Sequence, residues 1–477
     1  MSNSKKIAIP QEEVARQKEI IHSINDLLSY EYKKNGETKK AFIETYGCQQ
    51  NVNDSEILAG MITDMGYEIT EQKDEADLIL YNTCAVRENA ELKVYGNLGA
   101  LKHLKAKKPS LVIGVCGCMM QQQEVKEQIK KKYRHVDIVF GTHTLYRFPQ
   151  ILMEVLTTHG RVFDVLNSDG AIAEDMPIKR QKGPCAWVSV MYGCNNFCSY
   201  CIVPYVRGRE RSRSKEAVLA EVRELAASGC KEITLLGQNV NSYGKDLEEK
   251  LDFADLLELV CGVDGIERVR FMTSHPKDIS DKLIDTMTRL PKVCKQLHLP
   301  VQAGNNRVLR VMNRKYTKED YLEKIRKIKE KMPDITLTTD IIVGFPGETT
   351  EEFNDTLDVL KKVRYDTIFS FIYSKRPGTP AAKMEDVISP EEKKQNFNRL
   401  LEVQDAISIE KNLEYEGRTI SVLVEGKSKN NDEFYAGRTE GGKIVNFKGS
   451  DDLVGKIVNV KIVKAKTWSL TGELTDK

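Results

Sequence analysis

The sequence predicts an α/β protein built from three parts. These are an N-terminal domain with an open parallel α/β sheet, a central partial (β/α)6 barrel, and a small C-terminal antiparallel β-barrel. Over residues 39–156, and again over 185–412, short apolar runs alternate with amphipathic helical segments. This alternation is typical of parallel sheets covered by helices. From residue 413 onward the chain is rich in β-forming residues and glycine turns, with little helical periodicity.

The bulk composition is that of a globular chain with more than one domain. The chain has 477 residues, of which 40% are hydrophobic and 30% are charged, and its net charge is +2. A single ordinary domain is shorter, so we expect two to four. The near-neutral charge means that any nucleic-acid binding must come from local patches. We find no signal sequence and no run long enough to span a membrane, and therefore expect a cytoplasmic protein without membrane contact.

The first domain begins after a polar N-terminal extension, residues 1–38, which we expect to be solvated despite a weak helical pattern near 11–30. Residues 39–156 contain four strand candidates, AFIET (41–45), DLILYN (77–82), SLVIGV (110–115) and VDIVF (136–140). Helical segments separate them, which predicts an open parallel sheet. Residues 157–184 are polar, with Gly and Pro, and are interpreted as a linker.

The central domain, residues 185–412, repeats the alternation with six strand candidates and six helix candidates in strict order. This order predicts a partial version of the parallel α/β barrel. An open doubly wound sheet is the alternative, because alternation alone does not report closure. Residues 413–477 predict a small antiparallel barrel of the OB-like kind.

Cysteines follow several of the predicted strands. Cys48 follows the first strand, Cys84 the second, and Cys116 and Cys118 the third. Ligands of open parallel sheets bind outside the carboxyl ends of the strands, so these thiols are expected at one edge of the domain. Cys116 and Cys118 are competing candidates, because alternate strand residues point the same way. A lone cysteine is more often a small buried apolar side chain.

The stretch MYGCNNFCSYCIVPY, residues 191–205, holds three cysteines in the pattern C-x3-C-x2-C: Cys194, Cys198 and Cys201. Three thiols within eight residues of a chain without disulfide context indicate a metal or cluster site. Zinc is one alternative, but it favours four ligands and no histidine lies in the loop. An iron–sulfur cluster with one open iron suits three thiolates better.

These motifs resemble the radical SAM methylthiotransferases, in which a C-x3-C-x2-C loop after the first barrel strand holds a [4Fe–4S] cluster. The resemblance covers residues 39–475 and is closest to the MiaB type, the tRNA-2-methylthio-N6-dimethylallyladenosine synthases. Its motifs are ETYGCQQNVNDSE (44–56), NTCAVRENAE (82–91), GVCGCMMQQ (114–122), LLGQNVNSYG (235–244), MTSHP (272–276), LHLPVQAG (297–304), MNRKYT (312–317) and DIIVGFPGET (340–349). The one departure noted is Gln50, where the usual residue is Met.

The resemblance implies a radical reaction on tRNA. The enzyme would add a methylthio group to C2 of N6-isopentenyladenosine at position 37. One S-adenosylmethionine (SAM) would donate a methyl group and another would be cleaved to a 5′-deoxyadenosyl radical. Cys194, Cys198 and Cys201 would bind the radical SAM cluster. An auxiliary [4Fe–4S] cluster would be bound by Cys48, Cys84 and Cys118, which also favours Cys118 over Cys116.

The family motifs also imply SAM contacts around the barrel mouth. These are expected from Tyr200, Gln238, Asn239, Ser274, Gln302, Gly344 and Gly347. Tyr200 precedes the last cysteine of the loop and would lie beside the adenine. The two glycines would allow close backbone approach. Alternatively, the polar residues cap helices and the GFPGE segment is an ordinary turn.

Arginines and aromatic residues indicate the RNA contacts. Arg207, Arg209, Arg211 and Arg213 alternate just past the cysteine loop, so in an extended chain they would project to one face. That face would bind phosphates, although such charges often belong to a solvated loop or pair with a carboxylate such as Glu210. The C-terminal part resembles a TRAM domain, in which Arg438, Phe447, Lys448 and Trp468 supply cations and stacking faces. Phe447 and Trp468 could equally belong to the barrel core.

The expected partners follow from this chemistry. They are the tRNA anticodon stem-loop carrying isopentenyladenosine, a reducing protein such as flavodoxin or ferredoxin, and an iron–sulfur carrier protein; we expect the enzyme to be a monomer. Two other functions remain as alternatives. One is a methylthiotransferase for threonylcarbamoyl-adenosine tRNA or a ribosomal protein side chain. The other is a non-catalytic iron–sulfur or zinc RNA-binding adaptor.

Overall fold

A computed structural model describes residues 8–86, 88–166, 170–180, 183–429 and 431–475. The chain divides into two compact units. Unit 1 comprises Met1–Gln181, Tyr192–Asn195 and Cys201–Arg213, and unit 2 comprises Lys182–Met191, Asn196–Tyr200 and Ser214–Lys477. In the part of the chain that is described, no helix combines the length and apolar character needed to cross a membrane.

Unit 1 is built on a parallel six-stranded sheet with the order β2-β1-β3-β4-β5-β6. The strands are β1 (Lys40–Thr45), β2 (Glu68–Ile69), β3 (Leu78–Thr83), β4 (Val112–Gly117), β5 (Ile138–Phe140) and β6 (Val162–Asp164). The helices are α1 (Gln11–Asn35), α2 (Gln49–Asp64), α3 (Glu88–Lys107), α4 (Gln123–Lys132) and α5 (Phe148–Thr158). Every residue of β3 and β4 is buried, as expected for strands covered on both faces.

Helices cover both faces of this sheet. Apolar residues of α1, α2 and α5 belong to one core, and those of α3 and α4 belong to the other. The strand order reverses between β1 and β3, which lie side by side. From β1 the chain adds β2 on one side, and from β3 it adds β4, β5 and β6 on the other. Ligands of such sheets bind at this switch point, outside the carboxyl ends of the strands.

The N-terminal segment differs from the expected solvated extension. Helix α1 buries Val14, Ile21, Ile24 and Leu28 in the core that it shares with α2 and α5. These residues recur at helical spacing and form one apolar stripe, which the many charged residues of the other face obscure in the sequence. The expectation of a solvated extension is therefore wrong for Gln11–Asn35.

The central part of unit 2 contains six parallel strands in two three-stranded sheets, with the orders β11-β10-β7 and β12-β13-β14. The strands from residue 185 are β7 (Cys185–Ser189), β8 (Met191–Tyr192), β9 (Arg211–Ser212), β10 (Glu232–Leu236), β11 (Arg268–Phe271), β12 (Gln296–His298), β13 (Thr336–Val343) and β14 (Thr367–Ile372). Cys294 N–H donates to Val269 O at 2.9 Å and links the two sheets. The resulting arc is the expected partial barrel.

Helix α6 (Val203–Arg207) belongs to unit 1. The helices of unit 2 are α7 (Lys215–Ala227), α8 (Phe253–Cys261), α9 (Asp281–Arg289), α10 (Asn306–Val311), α11 (Lys318–Lys331), α12 (Thr350–Val363) and α13 (Pro390–Leu413). Side-chain caps mark where several begin. The side chains of Thr317, Thr349 and Ser389 each accept from a backbone N–H three residues later. The acidic side chain at that later position accepts in turn from the backbone N–H of the capping residue. This capping box satisfies two backbone donors that a helix start leaves open.

The C-terminal strands close into a five-stranded barrel of order β15-β16-β17-β19-β18. They are β15 (Thr419–Ser428), β16 (Asn431–Thr439), β17 (Ile444–Lys448), β18 (Ile457–Ala465) and β19 (Leu470–Leu474). Alternate apolar residues fill the interior, including Val422, Val445 and Leu470. Four of its five strand pairs are antiparallel and β17 pairs β19 in parallel, so the small barrel predicted from the sequence is present and is mainly antiparallel.

Buried arginines attach this small barrel to the amino ends of the central strands, within unit 2. Arg268, at the start of β11, donates to Arg438 O at 2.8 Å. Arg270 pairs with Glu232 at 2.8 Å and donates to Thr439 O at 2.7 Å. The carboxyl ends of the central strands, where barrel enzymes place their chemistry, lie at the opposite end of those strands.

Candidate active site

Three strands of unit 1 bring their cysteines together at the switch point. Cys48 follows β1, Cys84 follows β3 and Cys118 follows β4, and these strands are neighbours in the sheet. Cys84 and Cys118 are buried and Cys48 is half-buried. The Cys84 thiol hydrogen-bonds the Cys48 sulfur, which lowers the pKa of Cys48 and raises that of Cys84. Cys118 lies close enough to raise the pKa of Cys84 further by charge repulsion.

Glycines make the close approach of these cysteines possible. Gly117 has φ +96°, and a Cβ there would lie 2.4 Å from Thr83 O. The turn at Gly117 separates Cys116, which packs in the core with α1 and α2, from Cys118, which packs against Ala85. Of the two competing cysteines, Cys118 is therefore the one that reaches the other two thiols.

Two buried asparagines support this site, and the sequence analysis did not single them out. Asn51 Nδ2 donates to Asn82 Oδ1 at 3.2 Å and to Thr83 O at 3.1 Å. Asn82 Nδ2 donates to Asn51 O at 2.8 Å, and Asn51 Oδ1 accepts from the Cys48 thiol at 3.4 Å. Both residues occur in motifs quoted above, but their spacing in sequence gives no sign that they pair.

The arginines after the second cysteine loop do not form one RNA-facing row. Arg207 is 5% exposed and donates to Asp54 Oδ2 at 2.7 Å. Arg211 is buried, and Arg213 is buried and pairs with Glu174 at 2.8 Å. Only Arg209 of the four is exposed. The prediction is wrong for the other three because helix α6 ends at Arg207 and Gly208, at φ +74°, turns the chain, so the segment is not extended.

Arg207 instead lies at the N-terminal cysteine site. Burial raises the pKa of the Cys118 thiol, and the positive charge of the nearby Arg207 guanidinium lowers it. The nearby thiols and Asp54 raise the pKa of Arg207 itself, against the effect of its burial. Asp54, Cys118 and Cys48 are the groups that act most strongly on it.

Hydrogen bonds support the second cysteine loop from several directions. Within unit 1, Cys194 N–H donates to Gly208 O at 3.1 Å. Within unit 2, Cys198 is buried and its sulfur accepts from Arg314 Nη1 at 3.4 Å. Asn313 Nδ2 donates to Phe197 O at 3.0 Å. Cys201 is half-buried and directly precedes Ile202 and α6.

Arg314 is a site residue that the sequence analysis left without a role. Besides Cys198, it donates to the Tyr200 hydroxyl at 3.4 Å, to Pro300 O at 2.7 Å and to the Tyr316 hydroxyl at 2.9 Å. The side chain is 4% exposed. The MNRKYT motif contains it, but the residues around it are mostly polar, so the local sequence gives no sign that this arginine is buried.

Past the strand ends of unit 2, several buried polar atoms have no hydrogen-bond partner among the described residues. They belong to Asn241 after β10, Ser274 and His275 after β11, Glu348 after β13 and Tyr373 after β14. A buried polar atom left unsatisfied is costly, so this set fits a polar ligand at the barrel mouth. SAM, with its amino, carboxylate and ribose groups, has the donors and acceptors that such a set requires.

Two of these groups have shifted pKa values. Burial, with Arg314 and two lysines nearby, lowers the pKa of His275 to about 2, so its imidazole is neutral. Its Nδ1 accepts from Lys277 N–H at 3.2 Å, which leaves the proton on Nε2 as a donor. Burial raises the pKa of Glu348 to about 7.

The other predicted SAM contacts have mixed surroundings. Asn239 uses both ends of its amide, donating to Asp278 at 2.8 Å and accepting from His275 N–H at 3.1 Å. A Cβ on Gly344 would meet the Lys393 side chain at 2.5 Å, so that lysine occupies the space beside this glycine. Gln302 is buried with φ +72°, and its backbone pairs with β13. Gln238 and Tyr200 are half-buried, and Gly347 O accepts from Arg307.

The inner face of the barrel arc carries an apolar wall on β14. Ile341 and Ile368 belong to the core beneath the helices, so alternation puts Asp340, Phe369 and Phe371 on the inner face. Phe369 and Phe371 are 46% and 51% exposed. The Phe369 ring meets His298 edge-on at 5.7 Å. Large half-exposed aromatic side chains beside strand ends are typical of a ligand surface.

The C-terminal barrel corrects one predicted RNA contact. Phe447 is completely buried in the barrel core and offers no stacking face, because its position on β17 alternates inward. Trp468, in contrast, is 62% exposed. Lys448 is exposed, and Arg438 is partly exposed beside Glu425 at 2.9 Å.

The two cysteine sets fit iron–sulfur clusters by their donor chemistry. In the described ranges, no three His, Cys, Asp or Glu side chains surround a single-ion position. Each set supplies three soft thiol ligands, and a buried arginine acts on one thiol of each. Thiolates of this kind suit iron–sulfur clusters better than hard cations.

Three sequence profiles match the chain. The Radical SAM superfamily profile matches residues 188–360, that of the Uncharacterized protein family UPF0004 matches 40–141, and that of the TRAM domain matches 413–475. Among solved structures, a radical S-adenosylmethionine methyltransferase, TsrM from Kitasatospora setae, is similar with a TM-score of 0.54 and 14% identity. The likeness covers 72% of this chain and 77% of that one, and at this identity it concerns the fold alone.

Curated relatives match along the whole length. The tRNA-2-methylthio-N(6)-dimethylallyladenosine synthase of Acetivibrio thermocellus is 59% identical over 470 residues, or 98% of each chain. The enzyme of the same name from Clostridioides difficile is 54% identical over 477 residues, which is all of both chains. With the expected motifs and fold present as well, the chain belongs to the tRNA-2-methylthio-N(6)-dimethylallyladenosine synthase family within the radical SAM superfamily.

Proposed function

We propose that this protein is a radical SAM methylthiotransferase that acts on C2 of N6-dimethylallyladenosine at position 37 of tRNA. The observation that carries the proposal is the presence of two separate three-cysteine sets in a chain whose full length matches these synthases. A binding adaptor would have no need of two sites that each lack a fourth protein ligand.

The clusters and SAM, when bound, supply the radical and methyl-transfer chemistry that side chains cannot. In this proposal Cys194, Cys198 and Cys201 bind the cluster that cleaves SAM. Cys48, Cys84 and Cys118 would bind the auxiliary cluster, which would supply the sulfur chemistry. Because each set has three cysteines, each cluster would keep a position open for a ligand that is not a protein side chain.

Side chains at the barrel mouth would orient SAM. Ser274 Oγ and the His275 Nε2–H are buried and unsatisfied among the described residues, which makes them candidates for its polar groups. Tyr200, Gln238, Gln302 and Gly347 remain candidates from the family motifs. Asn239 would act indirectly, because its amide supports the backbone of His275.

The apolar wall on β14 suits the dimethylallyl group of the substrate. Phe369 and Phe371 present half-exposed rings on the inner face, and a five-carbon alkenyl group gains by burial against such rings. Adenine C2 is buried in a stacked anticodon loop, so we expect the base to be turned out of the stack for reaction. Arg209, Arg438, Lys448 and Trp468 are the accessible candidates for contacts with the surrounding RNA.

The remaining partners are inferred from the chemistry. Cluster reduction requires a low-potential donor such as flavodoxin or ferredoxin, and cluster assembly requires an iron–sulfur carrier protein. The many free thiols support a reducing compartment, and we place the reaction in the cytoplasm.

Nucleoside mass spectrometry of tRNA from cells that lack this protein tests the proposal. We expect 2-methylthio-N6-isopentenyladenosine to disappear and N6-isopentenyladenosine to accumulate, with both effects reversed by the wild-type gene. Unchanged 2-methylthio-N6-isopentenyladenosine in cells without a redundant enzyme would rule out this substrate. Loss of a methylthiolated threonylcarbamoyl-adenosine or ribosomal-protein side chain instead would favour one of the sister activities.

A further inference from the structure

The segment that follows the second cysteine loop forms one wall of the N-terminal cysteine site. Ile202 and Val206, at the start and near the end of α6, pack against Ala85 and Cys118. Val206 O accepts from Thr142 Oγ1 at 2.7 Å. All of these contacts lie within unit 1, and they hold the end of α6 beside the thiol of Cys118.

Arg207 ends this helix and is held in place from two sides. Its Nη2 donates to Asp54 Oδ2 at 2.7 Å, with both side chains almost fully buried. Its carbonyl oxygen accepts from Arg211 Nη2 at 2.9 Å. A cavity lined in part by Asp54, His143 and Arg211 adjoins the pair, so replacement side chains can be accommodated without overpacking.

The guanidinium of Arg207 has more N–H donors than its bond to Asp54 uses. Its Nη2 bonds Asp54, and the same guanidinium acts by its charge on Cys118 and Cys48. A guanidinium has five N–H donors in a fixed fork, so it can serve a carboxylate and a sulfur together. Hydrogen bonds and charge around thiolate sulfurs are the means by which proteins tune iron–sulfur centres.

We propose that Arg207 is a positioning residue for the auxiliary [4Fe–4S] cluster: its guanidinium, held by Asp54 at the end of the helix that packs against Cys118, raises the reduction potential of the cluster. The proposal rests on the proposed function only in requiring a cluster on Cys48, Cys84 and Cys118. One-electron reduction adds a negative charge to the cluster, so a neighbouring positive charge stabilises the reduced form. The negative charge of Asp54 disfavours the reduced form and by itself lowers the reduction potential.

The test uses the full chain carrying Cys194→Ala, Cys198→Ala and Cys201→Ala, so that iron binds only at the N-terminal site. After anaerobic reconstitution, a potentiometric titration followed by electron paramagnetic resonance gives the midpoint potential. In this background we compare Arg207→Gln, Asp54→Asn and Arg207→Lys. Arg213→Gln is the matched control, because Arg213 is also buried and ion-paired but to Glu174.

We expect Arg207→Gln and Asp54→Asn to shift the potential in opposite directions. Loss of the arginine should lower it, changing the oxidised-to-reduced ratio at the original midpoint about tenfold, or about 59 mV for one electron. Asp54→Asn should raise it, because the amide oxygen still accepts from Arg207 and only the negative charge is removed. Both substitutions break the same ion pair, so a merely structural role would move the potential in the same direction in both. That result, or an unchanged potential in Arg207→Gln, would overturn the proposal.

Arg207→Lys keeps the test decisive if Arg207→Gln fails to bind iron. Lysine retains the positive charge. We therefore expect Arg207→Lys to bind nearly as much iron as the parent protein. Where Arg207→Gln can also be measured, the midpoint potential of Arg207→Lys should be the higher of the two. If Arg207→Lys loses iron as completely as Arg207→Gln while Arg213→Gln keeps it, geometry rather than charge is what the site requires, and the electrostatic proposal fails. None of these measurements uses RNA, so they are independent of the substrate assignment.

Discussion

Each of the two cysteine sets has a buried arginine near one of its thiols. Arg207 acts on Cys118 by its charge in unit 1, and Arg314 donates to Cys198 in unit 2. A guanidinium beside a thiol favours the thiolate, which is the form that binds metal. At the scale of single residues, the two sites therefore share a buried arginine as well as three cysteines.

The two cysteine sets should have separable roles. Substitution of Cys194, Cys198 or Cys201 by alanine should reduce SAM cleavage to background, because the cleaving cluster is lost. Substitution of Cys48, Cys84 or Cys118 should spare cleavage and abolish methylthiolation. Chromatography of 5′-deoxyadenosine and mass spectrometry of the RNA product measure the two activities. Alanine at Cys116, which packs in the core, is the control and should retain both; equal loss of cleavage in both sets would contradict this division.

Glu348 should make stability depend on pH. Burial raises its pKa from 4.5 to about 7, so the folded state favours the protonated form. The stabilisation is complete below about pH 4.5 and is lost as the pH rises toward 7. Between pH 5 and 8 the free energy of unfolding of the SAM-free protein should therefore fall by up to about 3 kcal/mol more than that of the Glu348→Gln variant. Urea unfolding of both proteins across this range measures the difference, and parallel pH profiles would contradict it.

At the scale of elements, strand β14 combines two functions. Its outward residue Ile368 packs in the core beneath the helices, while Phe369 and Phe371 remain half-exposed on the inner face. A strand at the open edge of the arc can present aromatic rings to a ligand because no further strand of the barrel covers it. One face of β14 thus packs in the core, and the other is available for the proposed contact with the substrate.

Removal of the two rings should weaken recognition of the prenyl group. With Phe369→Ala and Phe371→Ala combined, kcat/KM for an anticodon stem-loop carrying dimethylallyladenosine should fall about 10- to 100-fold, as expected for roughly 1–3 kcal/mol of lost apolar contact. Reaction with an unmodified adenosine stem-loop should change little. Val387→Ala, at an exposed apolar residue elsewhere, is the control. An unchanged preference between the two RNAs would exclude this wall as the prenyl site.

At the scale of the whole molecule, the C-terminal barrel is part of the folded structure of unit 2 rather than a loosely tethered module. Arg268 and Arg270 donate to its backbone, and its Lys443 pairs with Asp366 at 3.0 Å. These groups lie at the amino ends of the central strands. The candidate SAM groups lie past the carboxyl ends, so attachment of the barrel and chemistry use opposite ends of the same strands.

Breaking this attachment should destabilise the fold. Arg270→Met leaves Glu232 buried without its partner, and loss of one member of a buried pair costs about 3–5 kcal/mol. Arg326→Met is a matched control, because Arg326 is also ion-paired, to Glu323 and Glu330, but on an exposed helix face, where such pairs contribute less than about 1 kcal/mol. Chemical unfolding gives both values, and equal losses would contradict the role assigned to Arg270.

Local patterns carried much of the fold and the ligand sets. Most strands of the parallel sheets were visible because buried parallel strands are continuous apolar runs, and the C-terminal barrel was visible from its turns and alternation. The short strands β2 and β6 were not, and the interpretation of residues 157–184 as a linker is wrong for β6. Helix α1 was not visible, because charges on its exposed face conceal the stripe of Val14, Ile21, Ile24 and Leu28. The sequence likewise left undecided whether Phe447 points into the barrel core, because Phe and Trp give the same sequence pattern in a core and on an RNA-binding surface.

The sequence by itself determined the chemistry of this protein, because the cysteines of each set stand in short motifs or directly after predictable strands, where the sequence neighbours reveal the function. Only the tertiary structure decided which of the charged and aromatic residues serve that chemistry. Arg207 faces Cys118 and Asp54 rather than RNA, and Arg314 faces Cys198, because burial and pairing depend on contacts between residues far apart in the chain. No local pattern distinguishes a buried arginine from an exposed one, and that difference is decided when the chain packs.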